Sequence, residues 1–235
     1  MFKEIYQGMQ SFFDKILKKD SEPKKVLKFS PHPYFKTDLD VQSLHELSHA
    51  IAMALNGQEV YKKIGKKSIS VGLSFGNKSG VFCYGYLDDP SGKELFVDMM
   101  ISLAGFVGEF EFLDLQSTSS SEDMVAWGEY SRKWLLHYNK DYISHTNNDN
   151  EIEWNNKILN DLKHRQKMML KKLLRNNDDL IYEYIKKLEK HHHLDNDDLN
   201  VFLDRVDIPL SVLKEMDQII AVSYTHLTLP TIYSV

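Results

Sequence analysis

The stretch "LHELSHAIAMALNG", residues 44–57, sets two histidines four apart with a glutamate directly after the first. Leu44, Leu47, Ile51, Met53, Ala54 and Leu55 supply apolar positions at helical spacing. They predict a helix capped at Asp38 or Asp40 and closed by Gly57 in the C′ position. Residues i and i+4 of a helix share a face, with Cβ atoms roughly 6 Å apart, so His45 and His49 can grip one metal ion. Glu46 is rotated about 100° away, too far to be a third ligand but well placed to take a proton from a water polarised by the metal. Ten histidines in 235 residues would produce His-Glu-x-x-His by chance with a probability of roughly a few per cent. The alternative, a helix carrying two solvated histidines, fits poorly with Ala50, Ile51 and Ala52, which continue the helix as a buried one.

The whole chain narrows the classes. Its length suits one large domain or two small ones. A net charge of −5 and a pI near 6.1 give no nucleic-acid footprint, and Lys18-Lys19 and Lys24-Lys25 read as solvated faces. Cys83 is the lone cysteine, so an intrachain disulfide is excluded and a reducing, cytoplasmic compartment is expected. No apolar run approaches the ~20 residues needed to span a bilayer, and no signal-peptide pattern opens the chain.

Around the histidine helix, the first 20 residues carry a stripe of Phe2, Ile5, Tyr6, Met9, Phe12, Phe13, Ile16 and Leu17 edged by lysines. It predicts an amphipathic helix docked on its own domain or a partner, with contact to a membrane surface as the alternative. Residues 21–36 form a Pro-bearing connector. Residues 59–88 alternate and cluster between glycines, which predicts two or three short strands with turns. From Ser91, "ELFVDMMISLAGFVGEFEFL" is apolar almost all round and reads as a core helix. A break at "DLQSTSSSED" precedes an amphipathic helix through Trp134 and Leu136. Residues 151 to about 191 predict one or two long helices, followed by short ones over 196–206 and from Ser211. The tail 222–235, "SYTHLTLPTIYSV" preceded by Val222, differs in character and resembles a translated adapter or vector remnant, so it is set aside as extraneous.

A third ligand has to come from elsewhere in the chain. Glu109 and Glu111 lie on the core helix, where a buried carboxylate needs a metal or a histidine as partner. Glu122 and Asp123 open the next helix. His191, His192 and His193 cannot all face one metal from a helix and read as a solvated helix end, while His137, His145 and His164 are isolated.

The order of these motifs resembles the zinc peptidase domain of the FtsH-type membrane AAA proteases. There His-Glu-x-x-His is followed by a short β segment, a helix like L-x-G-G-R-A-A-E-E, and S-T-G-A-S-N-D-L opening the next helix. The counterparts here are "SLAGFVGEF", residues 102–110, and "STSSSEDM", residues 117–124, with "KKLEKHHHLDNDDLNVFL", residues 186–203, echoing the closing helices. The resemblance spans roughly residues 37–205. It implies a mainly α (α+β) fold, a single helical zincin-type domain with a small β element over 37–221. It further implies zinc held by His45, His49 and Asp123, Glu46 as catalytic base, and Glu109 behind a ligating histidine. Phe106 stands where the family has arginine, Phe110 where it has its second glutamate, and Ser119 where it has glycine. No G-x-x-x-x-G-K-[ST] phosphate loop is present, so ATP dependence would need a separate ATPase partner, and a homo-oligomer like the family's ring is an open expectation.

The expected function is thus zinc-dependent hydrolysis of peptide bonds in unfolded or flexible polypeptides. A regulatory metallopeptidase cutting one dedicated partner is the enzymatic alternative. A non-catalytic, zinc-supported interaction module is the other, although a structural zinc site normally closes with a fourth protein ligand and none is evident.

Overall fold

In the computed structural model of the chain, residues 37–225 are described, apart from 75, 76, 86, 89, 115, 116 and 118; for 73–79, 119 and 222–225 only the backbone is considered. The expectations for residues 1–36, and for the tail from 226 onward, lie outside the described residues. The described residues belong to one unit that begins at His32.

Helix α1 (Asp38–Met53) carries the histidines and sits at the centre. Its cap corrects the sequence expectation: Thr37, and neither aspartate, is the N-cap. The Thr37 hydroxyl accepts from the Asp40 N–H at 3.2 Å, and the Asp40 carboxylate accepts from the Thr37 N–H at 2.8 Å. This reciprocal box satisfies two otherwise orphaned donors. A 3₁₀ turn (Ala54–Asn56) extends the helix to Gly57, whose φ of +80° ends it in a conformation that favours glycine. Leu44, Leu47, Ala50, Ile51, Ala52 and Met53 are fully buried, and so, nearly, are His45, Glu46, Ser48 and His49. A helix buried on every side needs neighbours all round. Those neighbours are helix α3 (Gly92–Leu113), the sheet and helix α6 (Asp178–His191).

The region 59–88 is only partly the expected β element. Its first residues form a short helix α2 (Gln58–Tyr61), because the chain leaving Gly57 continues to bond as a helical turn. Strands β1 (Ser68–Ser74) and β2 (Asn77–Cys83) then pair antiparallel. The third strand comes from the opposite end of the chain. His193–Leu194 (β3) pairs with Ile69 and Ser70, giving the order β2-β1-β3. The triple histidine is therefore more than a solvated helix end: His191 closes α6, His192 turns with φ +57°, and His193 enters the sheet, with its Nδ1 2.9 Å from Ser70 Oγ. Pairing places Ile69, Val71, Gly80 and Phe82 on one face of the sheet and Ser70, Val81 and Cys83 on the other. Ile69 and Val71 are buried, whereas Ser70, Val81 and Cys83 are exposed, so the first face lies against the core and α1.

Helix α3 starts from a second capping box, Ser91 with Glu94, and ends at Asp114 in the left-handed region, φ +53°. Helix α4 (Ser119–Tyr138) returns along it. The 151–191 region resolves into two helices, α5 (Asp149–Arg175) and α6, divided at Asn176-Asn177. Helix α7 (Asn196–Asp204) follows β3, and α8 (Leu210–Thr225) runs four residues past the boundary expected at 221. The described part is mainly helical with a small sheet. Among the described residues no helix is long and apolar enough to cross a membrane.

Candidate metal centre

Helix spacing puts His45 and His49 one turn apart on the face of α1 that meets α3. The helices come this close because α3 has Gly105 and Gly108 on its contact line. A Cβ at Gly105 would lie 2.5 Å from His45 Cε1 and 2.6 Å from His49 Nε2, and one at Gly108 would lie 2.1 Å from Ser48 Oγ. Glycine inside a helix costs about 1 kcal/mol relative to alanine, and here it leaves the space that the imidazoles occupy. The sequence did hold this signal. Two glycines three apart in an otherwise apolar helix call for a packing reason, and the imidazoles and Ser48 supply it.

Each histidine is oriented from behind. His49 Nδ1 donates to the Ile101 carbonyl at 2.6 Å, and His45 Nδ1 lies 2.6 Å from Glu109 Oε1. Partners that can only accept put the proton on Nδ1 in both rings, so each neutral ring presents a lone pair at Nε2. The two Nε2 atoms are 3.0 Å apart. Asp123, from the first turns of α4, brings its Oδ2 to 2.9 Å from His45 Nε2 and 3.3 Å from His49 Nε2. That oxygen is buried between the two rings.

Three electron-rich atoms facing one point repel one another unless something positive sits between them. Zinc with ligand distances of about 2.0–2.1 Å has tetrahedral edges of about 3.3 Å, close to the observed separations. Burial alone would push the His45 pKa down, but the adjoining Asp123 and Glu109 carboxylates raise it to about 10. Asp123 is shifted the opposite way: burial would raise its carboxyl, yet the two imidazoles hold it well below the usual carboxylate range. Two imidazole nitrogens and one carboxylate oxygen form a donor set suited to zinc, and the residues present fit such an ion.

Glu46 lies beside this trio and is separate from it. It is only 6% exposed, and burial pushes its carboxyl pKa up, with the neighbouring His49 and His45 partly offsetting this. The Phe82 backbone of strand β2 draws it slightly back down. Gly80 makes room for the carboxylate, since a Cβ there would lie 2.8 Å from Glu46 Oε1. Gly80 lies inside β2 and is glycine because the buried acid rests on the strand.

Glu109 is 1% exposed and fully engaged. Its Oε1 accepts from His45 Nδ1 and from Ser117 Oγ, both at 2.6 Å; its Oε2 accepts from the Ser117 N–H at 2.6 Å and from Ser120 Oγ at 3.1 Å. Burial would raise this carboxyl, but the His45 and Ser117 hydrogen bonds lower it below the usual range.

The remaining candidates are placed elsewhere. Glu111 pairs with Lys171 at 2.9 Å and with Arg175 at 2.8 Å. Glu122, His137, His145 and His164 are exposed. Phe106 and Phe110, at the positions that differ from the FtsH pattern, stack on each other with centroids 6.3 Å apart, and the Lys167 ammonium lies 4.4 Å from the centre of the Phe106 ring. Among the described residues, His45, His49 and Asp123 are the one group of three metal-ligating side chains brought within 4.8 Å of one another. No protein-family model matches the chain, and no curated protein does either.

Proposed function

We propose that the chain is a zinc-dependent peptidase, similar to the FtsH peptidase domain, acting on unfolded or flexible polypeptides. One observation carries this reading: three donor atoms converge on a single point, and a fourth, buried carboxyl stands beside them without joining the set. A structural zinc site would normally close with a fourth protein ligand. Here the fourth acid packs instead against strand β2 at Gly80.

Zinc, when bound, would polarise a peptide carbonyl and lower the pKa of a water to about 7. The protein's own groups do the rest. Glu109 and the Ile101 carbonyl hold both histidines in the tautomer that presents Nε2. Glu46 accepts the proton of the attacking water at a carboxylate oxygen. Burial raises its pKa, which strengthens it as the base, and it then passes the proton to the departing amine nitrogen, a stronger base still.

The test is cleavage of an unfolded casein substrate by the wild type and by Glu46→Gln, with zinc content measured on both. The variant should retain its zinc and lose about 10²- to 10⁴-fold in rate, the usual loss on removing a general base. Near-normal cleavage by Glu46→Gln would remove the mechanism.

A further inference from the structure

Glu109 ties together more than one histidine. Helix α3 ends at Asp114 in the left-handed region, and Ser117 and Ser120 both reach back to the Glu109 carboxylate. Ser120 and Asp123 are three apart on α4, hence on the same face. Ser120 is fully buried and its hydroxyl goes to Glu109, while Asp123 goes to the histidines. His45 reaches the same carboxylate from α1.

We infer that Ser117 and Ser120 are positioning residues for the cation site, locking the start of α4, and with it Asp123, to His45 through the shared Glu109 carboxylate. This rests on the metal reading of the site. Without the serines, Glu109 would still meet His45, but in this cluster the start of α4 would be tied to α1 only through Asp123 itself. Asp123 would then have to be ordered by the metal itself, and affinity falls by the cost of that ordering. The carboxylate sets the orientation of one ligand and the serines set the location of another. Their effects should therefore be coupled.

The experiment uses the full chain and Co²⁺ as the probe, with binding followed in its visible absorption band and metal-free melting recorded for every variant. The variants are Ser117→Ala, Ser117→Thr, Ser117→Ala/Ser120→Ala, Glu109→Gln, and the triple combination. Glu109→Gln should weaken Co²⁺ binding about 10- to 100-fold, as removal of an outer partner does. The double serine variant should fall within the same range. The triple variant should be no more than about threefold worse than Glu109→Gln alone, because groups in one network do not add. Ser117→Thr, which keeps the hydroxyl, should bind about as the wild type does. If the buried Ser120 change prevents folding, Ser117→Ala against Ser117→Thr decides, since Ser117 lies part-exposed outside the helices. Wild-type affinity in the serine variants, losses that multiply fully with Glu109→Gln, or equal losses in Ser117→Ala and Ser117→Thr would each overturn the coupling. A wild-type chain that takes up no Co²⁺ would overturn the metal reading itself, and this inference with it.

Discussion

Replacing Gly105 with alanine should damage the metal site far more than the fold. The added methyl would lie 2.5 Å from His45 Cε1, 2.6 Å from His49 Nε2 and 2.7 Å from His45 Nδ1, where ordinary contact begins at 3.4 Å. Neither ring can swing away cheaply: His45 is anchored on Glu109 and His49 on the Ile101 carbonyl. Nor can α1 back off, because Leu44, Leu47 and Ile51 are fully buried around it. Overpacking of this kind costs about 1–3 kcal/mol, and the gain in helix propensity returns about 1 kcal/mol. The metal-free variant should thus lose about 0–2 kcal/mol, a fall in Tm of a few degrees at about 2–4 °C per kcal/mol.

Zinc affinity should suffer more, because the methyl presses on an Nε2 atom that would bind the ion at about 2.0–2.1 Å. A loss exceeding the ~10- to 100-fold typical of outer partners is expected, measured by competition with a chromogenic chelator. Gly72→Ala is the control, since a Cβ there meets nothing within 4 Å. Zinc binding by Gly105→Ala within about threefold of the wild type would refute the reasoning, for two rings displaced by a methyl cannot keep a shared ligand geometry.

Three further outcomes are expected. Asp123→Ala should lose zinc outright while Glu109→Ala keeps it with weakened affinity, by stoichiometry side by side; the reverse pattern would make Glu109 the ligand. Asp98, whose carboxyl burial and the nearby Glu94 push up to about 6 from 3.8, binds its proton more tightly when folded. Its contribution to stability is therefore full below about pH 4 and is lost as pH rises through about 6. Asp98→Asn should gain on the wild type by about 1–2 kcal/mol across that window, after discounting for partial solvent access, and a pH-independent difference between the two melting curves would count against it. Gly80→Ala should leave zinc bound but lower kcat, because its Cβ would press on the Glu46 carboxylate and on neither histidine; a variant that lost zinc instead would show the strand supporting the ligands.

The chemistry-bearing residues were legible because their signals are local. His45, Glu46 and His49 follow from helical spacing alone, and the core helix α3 follows from an apolar run capped by Ser91. The nomination of Asp123 came from motif order, since no local spacing relates residue 123 to residue 45; the structure brings their side chains to 2.9 Å. What escaped was whatever depends on two distant segments meeting. Gly80 and Gly105 look like turn and helix filler until a side chain from α1 is laid against each. The β3 strand escaped because two residues after a helix carry no periodicity, and only pairing with Ile69 and Ser70 defines them. The Thr37 cap was missed in favour of Asp38 and Asp40, although Asp40 at N3 is the other half of a capping box.

The central claim is that His45, His49 and Asp123 hold one divalent ion beside a buried base. Elemental analysis of the purified chain, after zinc saturation and removal of loose metal, addresses it most directly. The account predicts about one zinc per chain in the wild type and in Glu46→Gln, and near none in His49→Ala, since two remaining donors cannot hold a tetrahedral ion tightly. A wild type that emerges without zinc, or a His49→Ala variant that keeps a full complement, would contradict it.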